Sequence, residues 1–178
     1  LNEIKKAAPD GQTVVLSPSG ALVIQPWLFA NLGYDPVKDF TPISRVTTFD
    51  FAVTAGPGAP AGDLKAVLAW MKANPTKANY ATSGAGNSNH LAAELFKTTL
   101  GIDVQVVPFN GTPAVVNALR GKQVDAAVEI LAPVLAQVTG KALRALAVMG
   151  DKRTPTLPAV PTVAEVDPAA SKGFSVAS

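Results

Sequence analysis

The sequence predicts an α/β fold in which a mostly parallel sheet is flanked by helices. Two observations point to this fold: short apolar runs alternate with helical patterns from residue 62 onward, and the 178-residue chain is 48% hydrophobic but only 16% charged. Strands that alternate with helices indicate βαβ units, whose ligands bind beyond the carboxyl ends of the strands. This length suffices for one good core or two small lobes.

The beginning of the chain shows fewer regular patterns. Leu1–Ala8 is predicted to end a helix, and Thr13–Leu16 is predicted to be a short buried strand. A polar loop at 17–20 then leads into a predicted helix at Ala21–Asn31. Arg45–Ala55 is predicted as one long strand, ended by a run of glycine and proline, and its length suits a crossover between two lobes.

The rest of the chain alternates regularly between helix and strand. Apolar residues at helical spacing predict a helix at Asp63–Asn74, with Leu64, Val67, Leu68 and Met71 on its buried face. The elements predicted after it are strand 79–82, helix 88–99, strand 104–107, helix 113–119, strand 124–128, helix 132–138 and strand 143–149. Residues 151–167, which are rich in proline and threonine, are predicted to contain no long regular element.

The composition argues against several classes of protein. The formal charge of +2 is spread along the chain without a basic run, so nucleic acid is not an expected partner. Proline and glycine interrupt the charge-free residues 11–34, which are therefore predicted to be buried rather than to span a membrane. The lack of cysteine and the single histidine argue against thiolate and multi-histidine metal sites, and no cofactor is expected.

The polar loop between the strand at 79–82 and the helix at 88–99 is the main candidate for a ligand site. Backbone N–H groups at a helix N-terminus lack intrahelical partners and carry the positive end of the helix dipole, so they bind carboxylates and phosphates. Gly84 and Gly86 allow the backbone to approach a ligand closely. The alternative is a glycine turn that only joins a strand to a helix.

Two further functions remain open at this point. The loop begins like a dinucleotide fingerprint, but Asn89 stands where the third glycine belongs, and no P-loop lysine follows, so a nucleotide-binding or general anion-binding module is an alternative. A hydrolase that uses His90 as its base is the weaker alternative, because the surrounding residues do not form a nucleophile elbow. A histidine in the first helical turn that bonds locally explains His90 more simply.

Two other groups follow strands of the predicted sheet. Glu129 closes an apolar strand, where its carboxylate would either hold an ammonium or hydroxyl group of a ligand or cap the next helix. Phe109, Asn110 and Gly111 offer an apolar wall and an amide, although Asn-Gly is also an ordinary turn pair.

Several sequence blocks point to a known family. In chain order they are Ala8–Gly11, Tyr34–Ser44, Tyr80–Phe96, Val107–Gly111, Gly121–Asp125, Leu143–Val148 and Arg153–Glu165. In these blocks, which cover nearly the whole chain, the sequence resembles the periplasmic solute-binding proteins of tripartite tricarboxylate transporters, the Bug or TctC-like family.

The resemblance implies a receptor rather than an enzyme, with the two-lobed fold of type II periplasmic binding proteins. Its ligand would be a small organic carboxylate, such as a di- or tricarboxylate, an amino acid or an aromatic acid. The receptor would deliver this ligand to the membrane components of the transporter, and a signal peptide absent from this chain would export the parent protein to the periplasm. The residues that the resemblance implies for ligand binding are Ser17, Ser19, Thr82, Ser83, Gly84, Ala85, Gly86, Asn87, Ser88, Phe109, Asn110, Gly111 and Glu129.

The same resemblance implies one complete lobe and one partial lobe. Residues 1–45 are expected to be a remnant of the first lobe, 46–56 an interlobe crossover strand, 57–171 the second lobe and 172–178 the start of a strand that returns to the first. The family's first strand and its glycine-rich loop are expected to precede Leu1. Phe109 and Asn110 stand where Tyr and Lys are more usual, which implies an altered ligand preference. Exposed strand edges of an incomplete lobe are expected to favour dimerisation or strand exchange.

Overall fold

The computed structural model of the protein describes residues 1–168, where the backbone forms two compact units. The N-terminal unit comprises residues 1–48 and 86–88, and the sheet unit comprises residues 49–85 together with residue 89 onward. The return strand predicted at 172–178 lies outside the described residues.

The N-terminal unit contains only short helices within the described residues. They are a 3-10 helix at Ile4–Lys6, α1 at Ser19–Val23 and α2 at Gln25–Leu28. The single helix predicted at 21–31 is therefore wrong. Pro26 has no backbone N–H to continue the hydrogen bonds of α1, and it sits instead in the first turn of α2, where an N–H needs no partner.

The strand predicted at Thr13–Leu16 is also wrong. These residues are extended but unpaired, and Val14 and Leu16 are 69% and 78% exposed. A strand needs a neighbouring strand to bond its backbone groups, and the described residues of the N-terminal unit contain none.

The sheet unit contains five strands in the described part of the chain. They are β1 at Phe51–Ala55, β2 at Asn79–Ser83, β3 at Gln105–Phe109, β4 at Ala126–Ile130 and β5 at Arg144–Val148, in the spatial order β3-β2-β4-β1-β5. Strand β2 is parallel to β3 and β4, whereas β1 is antiparallel to both β4 and β5. Strands β2 to β5 therefore run in one direction, which confirms the mostly parallel sheet.

The long strand predicted at 45–55 is shorter than expected and begins only at Phe51. Its neighbours explain the difference, because Phe51 pairs with Ile130, the last residue of β4, and Val148, the last residue of β5, pairs with Ala52. Among residues 1–168, no strand lies beside the residues before Phe51 to continue the ladder.

Helices cover both faces of the sheet. They are α3 at Leu64–Ala73, α4 at Ser88–Thr99, α5 at Thr112–Arg120, α6 at Leu131–Thr139 and the short α7 at Val163–Val166. Alternate residues of β1 enter two hydrophobic clusters: Phe51 and Val53 pack with Met71 of α3, and Ala52 packs with Leu119 of α5. Burial on both faces explains why the strands are apolar at successive positions instead of every second one.

Helix α3 confirms its prediction closely. The Asp63 carboxylate caps it by accepting a hydrogen bond from the Ala66 N–H at 3.0 Å. The four apolar residues predicted to face the core, Leu64, Val67, Leu68 and Met71, are all buried.

Candidate ligand-binding site

Strand β2 leads through a glycine-rich loop directly into α4. Gly84 and Gly86 have φ angles of 85° and 66°, in the left-handed region that glycine enters without a steric penalty. Helix α4 then begins at Ser88 and continues for 12 residues, so its N-terminus carries a substantial dipole. The strand, loop and helix that the sequence predicted here are all present.

A buried hydroxyl without a partner lies at the end of β2. Thr82 is 0% exposed, and its Oγ1 has no hydrogen-bond partner among the described residues. A buried polar group without a partner costs roughly 1–3 kcal/mol, so it commonly marks a place where a ligand or a water molecule bonds.

Glu129 is held by two hydrogen bonds at the carboxyl end of β4. The Ser83 N–H donates to Oε1 at 2.6 Å, and the Thr112 hydroxyl donates to Oε2 at 2.7 Å. The side chain is 0% exposed, although a strand end facing a ligand was the place that the sequence suggested for it. Glu129 of β4 is therefore hydrogen-bonded to the last residue of β2 and to the first residue of α5, beneath the loop that follows β2.

Further hydrogen bonds tie the loop after β2 to the loop after β3. The Gly84 N–H donates to the Phe109 carbonyl at 2.7 Å, and the Gly111 N–H donates to the same oxygen at 3.0 Å. The Asn89 side chain donates to Ser83 Oγ at 2.8 Å. These bonds bring the predicted residues Ser83, Gly84, Phe109 and Gly111 together at the carboxyl ends of β2 and β3.

Sequence reasoning missed Thr112 and left Asn89 out of the site residues. Asn89 is only 6% exposed, so its side-chain amide is buried and donates its hydrogen bond to Ser83 from inside the protein. Thr112 is the first residue of α5, and no sequence pattern links it to Glu129 seventeen positions later. Only the packing of α5 beside β4 brings their side chains together.

The other predicted residues of the sheet unit differ in exposure. Ala85 and Asn110 are exposed, whereas Phe109 is half-buried and packs against the cluster formed by α5 and α6. An exposed amide at Asn110 is accessible to a ligand, while Phe109 contributes mainly to the packing under the loop.

The remaining predicted residues belong to the N-terminal unit. Ser17 is half-buried and donates to the neighbouring Pro18 carbonyl at 3.3 Å, and Ser19 is exposed as the first residue of α1. Gly20 lies tightly against the segment 86–88, because a Cβ added to it would lie 3.2 Å from Ser88 Oγ. Within this unit, the loop 17–20 therefore meets the segment that starts α4.

His90 lies on the first turn of α4 and interacts along the helix. Its Nε2 is 3.8 Å from Oε1 of Glu94, one turn later. No cluster of His, Cys, Asp and Glu suitable for a metal ion occurs in residues 1–168. None of the described helices is both long and apolar enough to cross a membrane.

A large open groove lies elsewhere in the sheet unit. It has a volume of about 810 Å³ and is lined by the start of α3, the end of α6 and the first half of β5. Arg144, on its wall, donates to the Gly62 and Pro60 carbonyls at 2.8 and 2.7 Å. None of the sequence-predicted site residues lines this groove, and it adjoins the amino end of β5, whereas ligands of such sheets bind at carboxyl ends.

Comparison with known proteins identifies the family. The family model described as "Tripartite tricarboxylate transporter family receptor" matches residues 1–178, the whole chain. The chain belongs to this receptor family. Its members are binding proteins and not enzymes. Among the curated relatives of this chain, protein BugT of Bordetella pertussis is 35% identical over 163 residues, covering 90% of this chain and 50% of BugT.

Solved structures of similar proteins share the fold. The periplasmic binding protein BugD is 32% identical, with a TM-score of 0.86 over 98% of this chain and 57% of BugD. A protein of R. palustris solved with adipate is 26% identical, with a TM-score of 0.88 over 99% of this chain and 57% of that protein. The chain spans about half the length of the curated relatives it matches.

Proposed function

We propose that this chain forms the ligand-binding part of a periplasmic receptor that binds a small organic carboxylate. The receptor delivers its ligand to the membrane components of a tripartite tricarboxylate transporter. The observation that carries the proposal is the buried hydroxyl of Thr82, which lacks a partner among residues 1–168 and immediately precedes a glycine-rich loop and the N-terminus of α4. This combination suits an anion better than it suits a plain turn.

In the proposed site the ligand carboxylate lies against the loop 82–88. Backbone N–H groups and the small hydroxyls of this loop donate to it, and Asn110 contacts the distal part of the ligand. Ser17 and Ser19, which the family resemblance implies as further ligand contacts, belong to the N-terminal unit and stay a sequence-based prediction. Glu129 acts from beneath the loop, because both oxygens of its carboxylate already accept hydrogen bonds from Ser83 and Thr112. The relative solved with adipate supports a carboxylate as the ligand class.

A ligand screen tests this proposal. Mono-, di- and tricarboxylates and amino acids are added to the 178-residue chain and to the full product of its gene, and thermal unfolding is followed. We expect at least one carboxylate to raise Tm in a concentration-dependent way, because a ligand that binds only the folded state stabilises it. If none stabilises either protein, the receptor function is wrong.

The variant Thr82→Val tests the observation that carries the proposal. Valine keeps the shape of threonine but cannot donate, so we expect the affinity for the carboxylate to fall roughly tenfold to a hundredfold. Stability without ligand should not fall, since the lost hydroxyl has no partner among the described residues. Thr54→Val is the matched control, because Thr54 is equally buried but donates to the Ala127 carbonyl within the sheet. Equal affinity in the two variants would remove Thr82 from the site.

A further inference from the structure

The carboxylate of Glu129 is buried without a cation to balance it. It is 0% exposed, and in the described part of the chain no lysine, arginine or histidine forms an ion pair with it. The two groups that donate hydrogen bonds to it, the Ser83 N–H and the Thr112 hydroxyl, are uncharged. Hydrogen bonds of this kind stabilise a buried carboxylate but do not cancel its charge.

This charge lies directly behind the loop proposed to bind the ligand. Oε1 is 2.6 Å from the main-chain nitrogen of Ser83, and the next residue, Gly84, is bonded to the Phe109 carbonyl. A buried charge is poorly screened by salt, and its field extends further than that of a surface charge. An anionic ligand at this loop is therefore exposed to the field of Glu129.

We propose that Glu129 makes the site select against a second negative group on the ligand. The favoured ligand carries a single carboxylate, either alone or together with an ammonium group. This inference rests on the proposed carboxylate-binding function and deepens it by naming the class of carboxylate. Glu129 acts here through its charge and through the loop it holds, without touching the ligand.

Electrostatics gives the expected order of effects. Every negative charge on the ligand is repelled by Glu129, and every positive charge is attracted. At a separation of about 10 Å and an effective dielectric constant of about 20 to 40, each ligand charge changes affinity by roughly fourfold to fifteenfold. Removal of the Glu129 charge should therefore increase the affinity for a dianion most, for a monoanion less and for a zwitterion least.

The variant Glu129→Gln tests this order with three six-carbon ligands: adipate, hexanoate and 6-aminohexanoate. Glutamine retains an oxygen to accept from the Ser83 N–H and an amide to donate to Thr112 Oγ1, so the hydrogen bonds persist without the charge. Dissociation constants are measured by calorimetry for the wild-type chain and the variant. For each protein, the affinity for adipate is divided by the affinity for hexanoate. We expect this ratio to be roughly fourfold to fifteenfold higher in the variant than in the wild type. The corresponding ratio for 6-aminohexanoate should be lower in the variant by a similar factor.

Two matched controls separate the charge from other effects. Thr112→Val breaks one hydrogen bond of the same cluster but keeps the charge, so it should lower Tm and leave the relative affinities unchanged. Asp125→Asn removes a carboxylate at the amino end of β4, on the order of 13 Å along the strand from Glu129, and should also leave them unchanged.

The outcomes distinguish the two proposals. If none of the three ligands, and no other carboxylate, binds the wild type, the receptor function and this inference are both wrong. If the ligands bind but Glu129→Gln changes all three affinities equally, or Thr112→Val reproduces its effect, only the inference is wrong. Should the Gln variant not fold, the wild type alone decides: adipate binding more tightly than both hexanoate and 6-aminohexanoate overturns the inference.

Discussion

Single residues of the candidate site act through their conformation as much as through their chemistry. Gly84 and Gly86 both have positive φ angles, and a Cβ on Gly86 would also lie 3.3 Å from Cδ1 of Leu28 within the N-terminal unit. The sequence predicted that these glycines allow close approach to a ligand. The structure adds that Gly86 is confined by a neighbouring side chain as well as by its backbone.

Replacement of Gly86 by alanine should therefore weaken both stability and binding. A left-handed alanine costs about 1–2 kcal/mol, and the shifted loop should lower carboxylate affinity. Gly101→Ala is the matched control, because Gly101 has a φ of 59° but no atom within 4 Å of an added Cβ. Chemical denaturation should show a loss of stability in both variants, and a larger one in Gly86→Ala because its Cβ also crowds Leu28. Calorimetry should show a loss of affinity only for Gly86→Ala. An unchanged affinity for Gly86→Ala would contradict the proposed loop.

Secondary-structure elements were predictable where their signals are local. The start of α4 at Ser88, the cap of α3 and the four buried residues of α3 follow from periodicity and capping chemistry within a few residues. The strand predicted in the N-terminal unit was wrong because a strand forms only beside a partner strand. Local sequence does not predict whether such a partner is present. The loop of the candidate site was predictable because its glycine and capping signals are also local. The hydrogen bond between Glu129 and Thr112 was not, because it depends on how α5 packs beside β4.

Helix α7 offers a pH-dependent test at the scale of an element. Glu165 forms a capping box with Thr162, and Nε of Arg153 donates to its Oε2 at 2.8 Å. The Thr162 N–H, and then Arg153, lower the pKa of Glu165 below its ordinary value of 4.5. A lowered pKa means that the ionised form stabilises the fold above pH 4.5, and that this contribution is lost as the pH falls through the folded value.

Glu165→Gln should accordingly destabilise the protein only where Glu165 is ionised. The difference in Tm between wild type and variant should be largest near neutral pH and should shrink as the pH falls below about 4.5, since both then carry an uncharged side chain. Thermal unfolding monitored by circular dichroism across this range gives the measurement. A difference that stays constant with pH would contradict the assigned role.

At the scale of the whole molecule, the two units differ in how well they bury apolar side chains. Trp27, Val37 and Ile43 of the N-terminal unit are 88%, 86% and 81% exposed, whereas the sheet unit has apolar clusters on both faces of its sheet. Several large apolar side chains exposed on one unit favour association between protein molecules. The dimerisation expected from the sequence stays a prediction, and exposed side chains rather than strand edges now support it.

We expect the 178-residue chain to self-associate in a concentration-dependent manner. The double variant Trp27→Ser with Ile43→Ser should associate more weakly, because it removes two of the most exposed apolar side chains. Leu91→Ser is the control, since Leu91 is 42% exposed but lies on α4 of the sheet unit. Sedimentation velocity over a range of concentrations measures the effect. A chain that remains monomeric throughout would show that these side chains drive no association.

The sequence by itself determined the alternating elements of the sheet unit, the glycine-rich loop before α4 and the resemblance to the receptor family. Each of these depends on residues that are close together in the chain, so periodicity, capping and turn chemistry suffice. Only the tertiary structure decided the strand order, the reversed direction of β1, the missing strand at 13–16 and the burial of Glu129. These features depend on partners far apart in sequence, such as Glu129 with Ser83 at 46 positions, and only packing brings such partners into contact.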